Sequence, residues 1–233
     1  MVGQAVPHDR ICISDGKQFL TPDHRHYLEK VLRLSVGDSF TIVDGKGREA
    51  LARLGRGGTF EIGLWSDPGR EPRLNVVLHP ALLKGDRFEW LIEKAVELGV
   101  TKIKPLMTKR CVAGLPSVGK LDRWRKLVEE AMLQCGGCRL ADISAPCEPL
   151  KLSSPGKDVQ AFLLHEQLGD VSLSSFPRIF RPEVWLASGP EGGFTPEEVS
   201  AFSLAGWQQV WLGPRRFRAD TAPLVAISRL LGQ

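Results

Sequence analysis

No apolar run in the 233-residue sequence approaches the roughly 18 residues a membrane-spanning helix needs, so none is expected. There is no internal repeat and no low-complexity tract, which excludes solenoid and linker-like chains. Cysteine is scarce and odd in number: Cys12, Cys111, Cys135, Cys138 and Cys147 do not form a disulfide framework. Asp9 and Arg10 interrupt the N-terminus before a hydrophobic signal core can form. Both features predict a protein of the reducing cytoplasm. What is present is ordinary globular material. Hydrophobic residues make up 42% and charged residues 25%, which excludes a disorder-dominated chain.

The net charge is +4, unevenly spread. Residues 1–73 hold 11 Lys+Arg against 10 Asp+Glu, and residues 141–233 hold 8 against 10. The middle stretch, 74–140, holds 12 against 7, so the basic excess sits there and suits a phosphate-bearing partner.

The first part of the chain reads mainly as β. Strands are expected at 11–13, 39–43, 49–54 and 59–65, with Asp44-Gly45-Lys46-Gly47 as a hairpin turn. A helix is expected over 21–34, with Thr21 as N-cap and Pro22 first. Short strands with one helix predict a small barrel. The segment 66–73, with two prolines, a glycine and four charges, reads as a linker. It divides an N-terminal domain, 1–70, from a second domain, 74–233. The second alternates strands (74–78, 102–107, 159–164, 184–187, 209–212) with helices (86–98, 121–134, 195–204, 221–231). That rhythm predicts an α/β domain with a mostly parallel sheet.

Three strand ends carry chemistry. Ser188-Gly189-Pro190-Glu191-Gly192-Gly193-Phe194 follows a buried strand and precedes a capped helix. Its glycines allow close backbone approach to a ligand. It lacks the Lys-Ser/Thr of a P-loop, and Glu191 repels anions, so it suits a neutral or cationic ligand. Leu212-Gly213-Pro214-Arg215-Arg216-Phe217-Arg218-Ala219-Asp220-Thr221 has the same strand–loop–helix context with three arginines. Leu164-His165 ends a third apolar strand. Ligands in open α/β sheets bind at such carboxyl ends. Cys135-Gly136-Gly137-Cys138 follows a helix and has no second pair at zinc spacing, so no metal site is expected.

Taken together, these residues resemble the RsmE family, the small-subunit rRNA uracil-N3 methyltransferases of the SPOUT class. The resemblance runs over nearly the whole chain. It is carried by His26-Tyr27-Leu28, Val31-Leu32-Arg33-Leu34 and Val36-Gly37-Asp38, and by Lys84-Gly85-Asp86-Arg87 through Glu93–Gly99. Gly189-Pro190-Glu191-Gly192-Gly193 and Leu212-Gly213-Pro214-Arg215 with Arg218, Asp220 and Thr221 are its most specific part. Leu133 and Gly137 stand where the family usually has Glu and Arg, Phe217 replaces a leucine, and Asp220 a glutamate.

The resemblance implies an N-terminal PUA-like β-barrel, a C-terminal domain with a deep trefoil knot, and a homodimer. It implies S-adenosylmethionine as cofactor, held by Leu164, His165, Gly189, Pro190, Glu191, Gly192, Leu212, Gly213, Phe217, Arg218 and Thr221. The implied reaction is methylation of N3 of a uridine in 16S rRNA, with Arg218 and Glu191 as catalytic residues. Arg10, Arg25 and Arg33 are the candidate RNA contacts, and the expected setting is the small ribosomal subunit. Two other activities remain at this point: ribose 2′-O methylation by the same fold, and a non-catalytic RNA-binding assembly factor.

Overall fold

The computed structural model describes residues 9–13, 19–149, 154–165, 171–172 and 181–232. The chain divides into two compact units. One comprises residues up to Glu71 together with Glu129–Leu140, and the other Pro72–Val128 with Ala141 onward. The segment 129–140, assigned from sequence to the second domain, thus packs with the N-terminal unit.

In the N-terminal unit β1 (Arg10–Cys12), β2 (Ser39–Val43), β3 (Glu49–Leu54) and β4 (Phe60–Ile62) form one sheet in that order. β1 runs parallel to β2, and the other pairs are antiparallel. Along β3, Ala50, Ala52 and Leu54 are buried while Leu51 and Arg53 face water, the period of two that a one-sided sheet requires. The β2–β3 turn closes on Asp44, whose carboxylate accepts the N–H groups of Lys46 (2.7 Å) and Arg48 (2.9 Å). Burial alone would raise that carboxyl's pKa; hydrogen bonds from Arg48 and Lys46 bring it below the usual range.

The helix expected over 21–34 is shorter. Thr21 caps α1 (Pro22–His26), and Tyr27–Val31 then winds as a wider π turn, Leu32 N–H bonding Tyr27 O at 2.9 Å. Arg33, at φ 59°, ends it in the left-handed region. The reason is packing. Leu28 is buried, and Tyr27, Leu32 and Leu34 lie against the same core, a spacing that no single α-helical face supplies.

Among its described residues the second unit holds seven strands, all parallel: β5 (Asn75–Pro80), β6 (Lys102–Ile103), β7 (Asp142–Ile143), β8 (Val159–Leu164), β9 (Val171–Ser172), β10 (Glu183–Ser188) and β11 (Gln208–Trp211). Their order is β7-β6-β5-β10-β8-β11-β9. The central strands are apolar almost throughout, as a parallel sheet covered on both faces demands. The expected strand 102–107 contracts to β6, and β7 and β9 escaped prediction because two residues carry no periodicity.

Four helices accompany these strands among the described residues: α2 (Arg87–Glu97), α3 (Val118–Cys135), α4 (Pro196–Leu204) and α5 (Thr221–Leu231). α2 meets α3 through Phe88 and Trp124, ring centroids 4.7 Å apart. Gly99 follows α2 at φ 87°, where a Cβ would also lie 2.5 Å from Pro72 Cγ. No helix among the described residues is long and apolar enough to cross a membrane.

Candidate functional site

β10, β8 and β11 are adjacent and parallel, so their carboxyl ends open on the same edge of the sheet. The segments leaving them line one cleft of about 1110 Å³. Its volume lies at the upper end of the range of roughly 300–1,000 Å³ usual for ligand pockets. Leu164, His165, Gly189, Pro190, Glu191, Gly192, Leu212, Gly213, Phe217 and Arg218 all line it. Thr221 does not. It opens α5, and its hydroxyl donates to the Asp220 carboxylate at 3.1 Å.

The glycine loop is tightly shaped. Gly193 N–H bonds Pro190 O at 2.9 Å with Gly193 at φ 68°. A Cβ on Gly189 would lie 3.2 Å from the Phe194 ring, and one on Gly192 would lie 3.3 Å from Arg110 Cβ. A side chain at either position would press on the loop's own packing, against Phe194 or Arg110. At the base of the loop, Ser188 Oγ is buried without a hydrogen-bond partner among the described residues.

The loop is also tied from outside. Arg110 Nη1 donates to Gly192 O (2.8 Å) and Phe194 O (3.3 Å). Buried Glu198 accepts Lys109 N–H on one carboxylate oxygen and Thr195 N–H on the other, each at 2.8 Å. Thr195 Oγ1 accepts Glu198 N–H at 3.3 Å, so the predicted capping box of α4 also fastens a distant loop. Glu191 accepts Lys84 N–H at 3.3 Å and lies 3.8 Å from Arg87, which reaches Asp220 at 4.0 Å.

Electrostatically the cleft is cationic. Arg87, Arg110, Arg215, Arg216 and Arg218 line it, with Glu191 the one carboxylate among its described lining residues. Arg218 is exposed, and its guanidinium makes no hydrogen bond or ion pair among the described residues. Arg87, Arg110, Ser188 and Glu198 were not singled out as site residues from sequence. Arg110 lies in a loop without periodicity, and Glu198 signals only a helix cap.

The three RNA candidates of the N-terminal unit part company. Arg10 is corrected: it is 2% exposed. Its guanidinium donates to Glu49 (2.8 Å), to the carbonyls of Gly136 (3.3 Å) and Gly137 (2.9 Å), and to Cys138 Sγ (3.3 Å). Burial of that charge requires those partners, and it puts the guanidinium out of reach of RNA; Nε alone has no hydrogen-bond partner among the described residues. Arg25 and Arg33 are exposed, Arg25 bonding Glu29 at 2.9 Å. The Cys-x-x-Cys segment is absorbed in the same packing. Cys138 is buried, and burial raises its thiol pKa against the lowering influence of Arg10 and Arg70.

A parallel α/β unit with a glycine-rich, arginine-lined cleft at its strand ends, in one chain with a small β unit, defines a class. The chain matches an RNA methyltransferase domain over residues 70–231 and an RNA methyltransferase PUA domain over residues 20–58. It is 37% identical to the ribosomal RNA small subunit methyltransferase E of Synechocystis over 218 residues, 91% of this chain and 71% of that one. The Bacillus subtilis protein of the same name is 29% identical, covering 91% of this chain and 88% of its own. Among solved structures, the Neisseria gonorrhoeae ribosomal RNA small subunit methyltransferase E bound to S-adenosylmethionine superposes with TM-score 0.84 at 28% identity, over 94% and 95% of the two chains. A Legionella pneumophila protein with bound S-adenosylmethionine gives TM-score 0.87 at 30% identity, over 97% and 98%. This chain belongs to the ribosomal RNA small subunit methyltransferase E family of RNA methyltransferases.

Proposed function

We propose that this enzyme transfers the methyl group of S-adenosylmethionine to N3 of a uridine in 16S rRNA. The observation that carries the reading is the convergence of the three strand-end loops on one arginine-lined cleft. Its residues fit the cofactor. The loop packs closely at Gly189 and Gly192 against Phe194 and Arg110 and leaves its backbone open to the cleft, and Glu191 offers a carboxylate to a cationic sulfonium. Leu164, His165, Gly189, Pro190, Gly192, Leu212, Gly213 and Phe217 would hold it. S-adenosylmethionine supplies an electrophilic methyl group.

The chain's own residues do the rest. N3 of uracil carries an acidic imide proton and is nucleophilic only after losing it. In this reading Glu191, positioned by Lys84 N–H and Arg87, accepts that proton. Arg218 faces the uracil carbonyls and stabilises the charge that the departing proton leaves there. N3 lies on the pairing edge, so the base must be unpaired or turned out of its stack to enter. Arg25 and Arg33 of the N-terminal unit hold flanking RNA.

The finer architecture belongs to the same reading: a SPOUT domain with a deep trefoil knot, a PUA-like barrel around the described sheet, and a homodimer acting in the cytoplasm on the small ribosomal subunit. The insertion of β10 between β5 and β8, and the PUA match over 20–58, support it.

The test is transfer of labelled methyl to small-subunit particles lacking the modification, with the product nucleoside identified by mass spectrometry. N3-methyluridine is expected; 2′-O-methyl nucleoside moves the chemistry to ribose, and no transfer overturns the reading. Arg218→Ala is expected to lower kcat by about 10²–10³ while cofactor affinity changes less than about threefold. Equal losses in both would remove Arg218 from catalysis.

A further inference from the structure

α3 carries its charge the wrong way round for a helix. Its first part, 118–128, holds Lys120, Arg123, Arg125 and Lys126 against Asp122, while Glu129 and Glu130 follow. The helix dipole favours acids in the first turn and cations in the last; α3 has neither. Lys120 is the sharpest case. Ser117 Oγ accepts Lys120 N–H at 3.3 Å, so Lys120 occupies the third helical position, where a capping box places Glu or Gln. α4 of the same chain has that box complete. Lys120, Arg123 and Lys126 also recur every third residue, which sets like charges beside one another along one exposed ridge.

The fold only partly compensates. Arg123 pairs with Glu89 at 2.7 Å yet stays 71% exposed, and Arg125 pairs with Asp122 at 2.6 Å. Lys120 Nζ stands 5.8 Å from the centre of the Trp124 ring. Lys126 makes no ion pair among the described residues. Glu89 lies two residues beyond Arg87 on α2, a spacing that sends the two side chains to different faces of that helix, so the ridge is a basic surface separate from the Arg87-lined cleft.

We propose that Lys120, Arg123 and Lys126 form a docking surface for the phosphate backbone of the RNA substrate, one for which helix stability is sacrificed. A closely spaced polyanion relieves all three defects: the inverted dipole, the like-charge ridge and the unpaired Lys126. The inference rests on the proposed reading that the substrate is RNA.

The test uses the intact chain and a labelled ~30-nucleotide single-stranded RNA, titrated between about 50 and 200 mM salt. Lys120→Glu and Lys126→Glu are compared with the charge-matched Lys157→Glu. Each ridge variant is expected to weaken RNA binding several-fold and to flatten the salt slope by about one. S-adenosylmethionine affinity is expected to stay unchanged. Lys120→Glu should also melt ~2 °C higher, because it completes the capping box. A gain in stability with a loss in binding separates a docking role from a structural one. RNA affinity no lower than in Lys157→Glu overturns the surface, as does a changed molecular mass by light scattering, which would assign the ridge to a second copy. Methyl transfer by the wild type is followed in parallel. N3-methyluridine with an indifferent ridge overturns the surface alone; its absence with a responsive ridge overturns only the reaction.

Discussion

His79 lies wholly buried on β5, its ring 5.3 Å from that of Trp185 and 5.4 Å from that of Trp207. Neither ring nitrogen has a hydrogen-bond partner among the described residues. Burial, and then the nearby charge of Lys104, push its pKa from 6.5 down to about 3. The unfolded chain takes up the proton below 6.5, and the folded chain resists it until about 3. The neutral imidazole's contribution is therefore complete above 6.5 and drains away as pH falls towards 3. At pH ~5 the loss is about 2 kcal/mol. Denaturant unfolding at pH ~7 and ~5 checks this: the wild type should lose about 2 kcal/mol more than His79→Leu. Equal losses would mean that His79 titrates as an exposed histidine does. Arg10 shows the opposite solution to the same constraint, a buried charge kept because its partners surround it.

Among the elements, α4 has two tasks. Its capping residue Glu198 closes the helix and holds Lys109, so that Arg110 can reach the Gly192 and Phe194 carbonyls. A carboxylate accepts both backbone N–H groups; an amide offers one oxygen. Glu198→Gln is therefore expected to lower stability by about 1–2 kcal/mol and, through a loosened glycine loop, cofactor affinity by roughly tenfold. Thermal unfolding and calorimetric titration with S-adenosylmethionine read the two effects separately. Lost stability with intact affinity would reduce Glu198 to a helix cap.

For the molecule as a whole, the covalent chain and the packing units do not coincide. α3 starts in the second unit, and its last turns, with Gly136–Leu140, pack in the first. There Gly47 N–H bonds Cys138 O and Leu140 N–H bonds Gly45 O, each at 2.9 Å, while Glu71 accepts Cys138 N–H at 2.6 Å. A fragment beginning at Pro72 loses all of these partners. Hydrogen exchange should show 129–140 protected in the intact chain and unprotected in the fragment, with the β5–β10–β8 strands protected in both. Equal protection of 129–140 would show that the segment holds its structure without the N-terminal unit.

The sequence by itself determined whatever depends on near neighbours. The β2 and β3 spans, the Asp44 turn, the α4 capping box and the α5 span are all set by contacts within a few residues, and they match their predicted positions. The motifs after β8, β10 and β11 were likewise legible as ligand loops, and the resemblance grouped them. The tertiary structure alone decided what depends on chain segments far apart. Arg10 meets Gly137 across 127 residues, and Lys109 meets Glu198 across 89. No local pattern encodes such a pairing, so an exposed-looking arginine became a buried one and a helix cap became a clasp. Strand order did the same for the site: only the adjacency of β10, β8 and β11 brings their three loops, with Arg87 and Arg110, around one cleft.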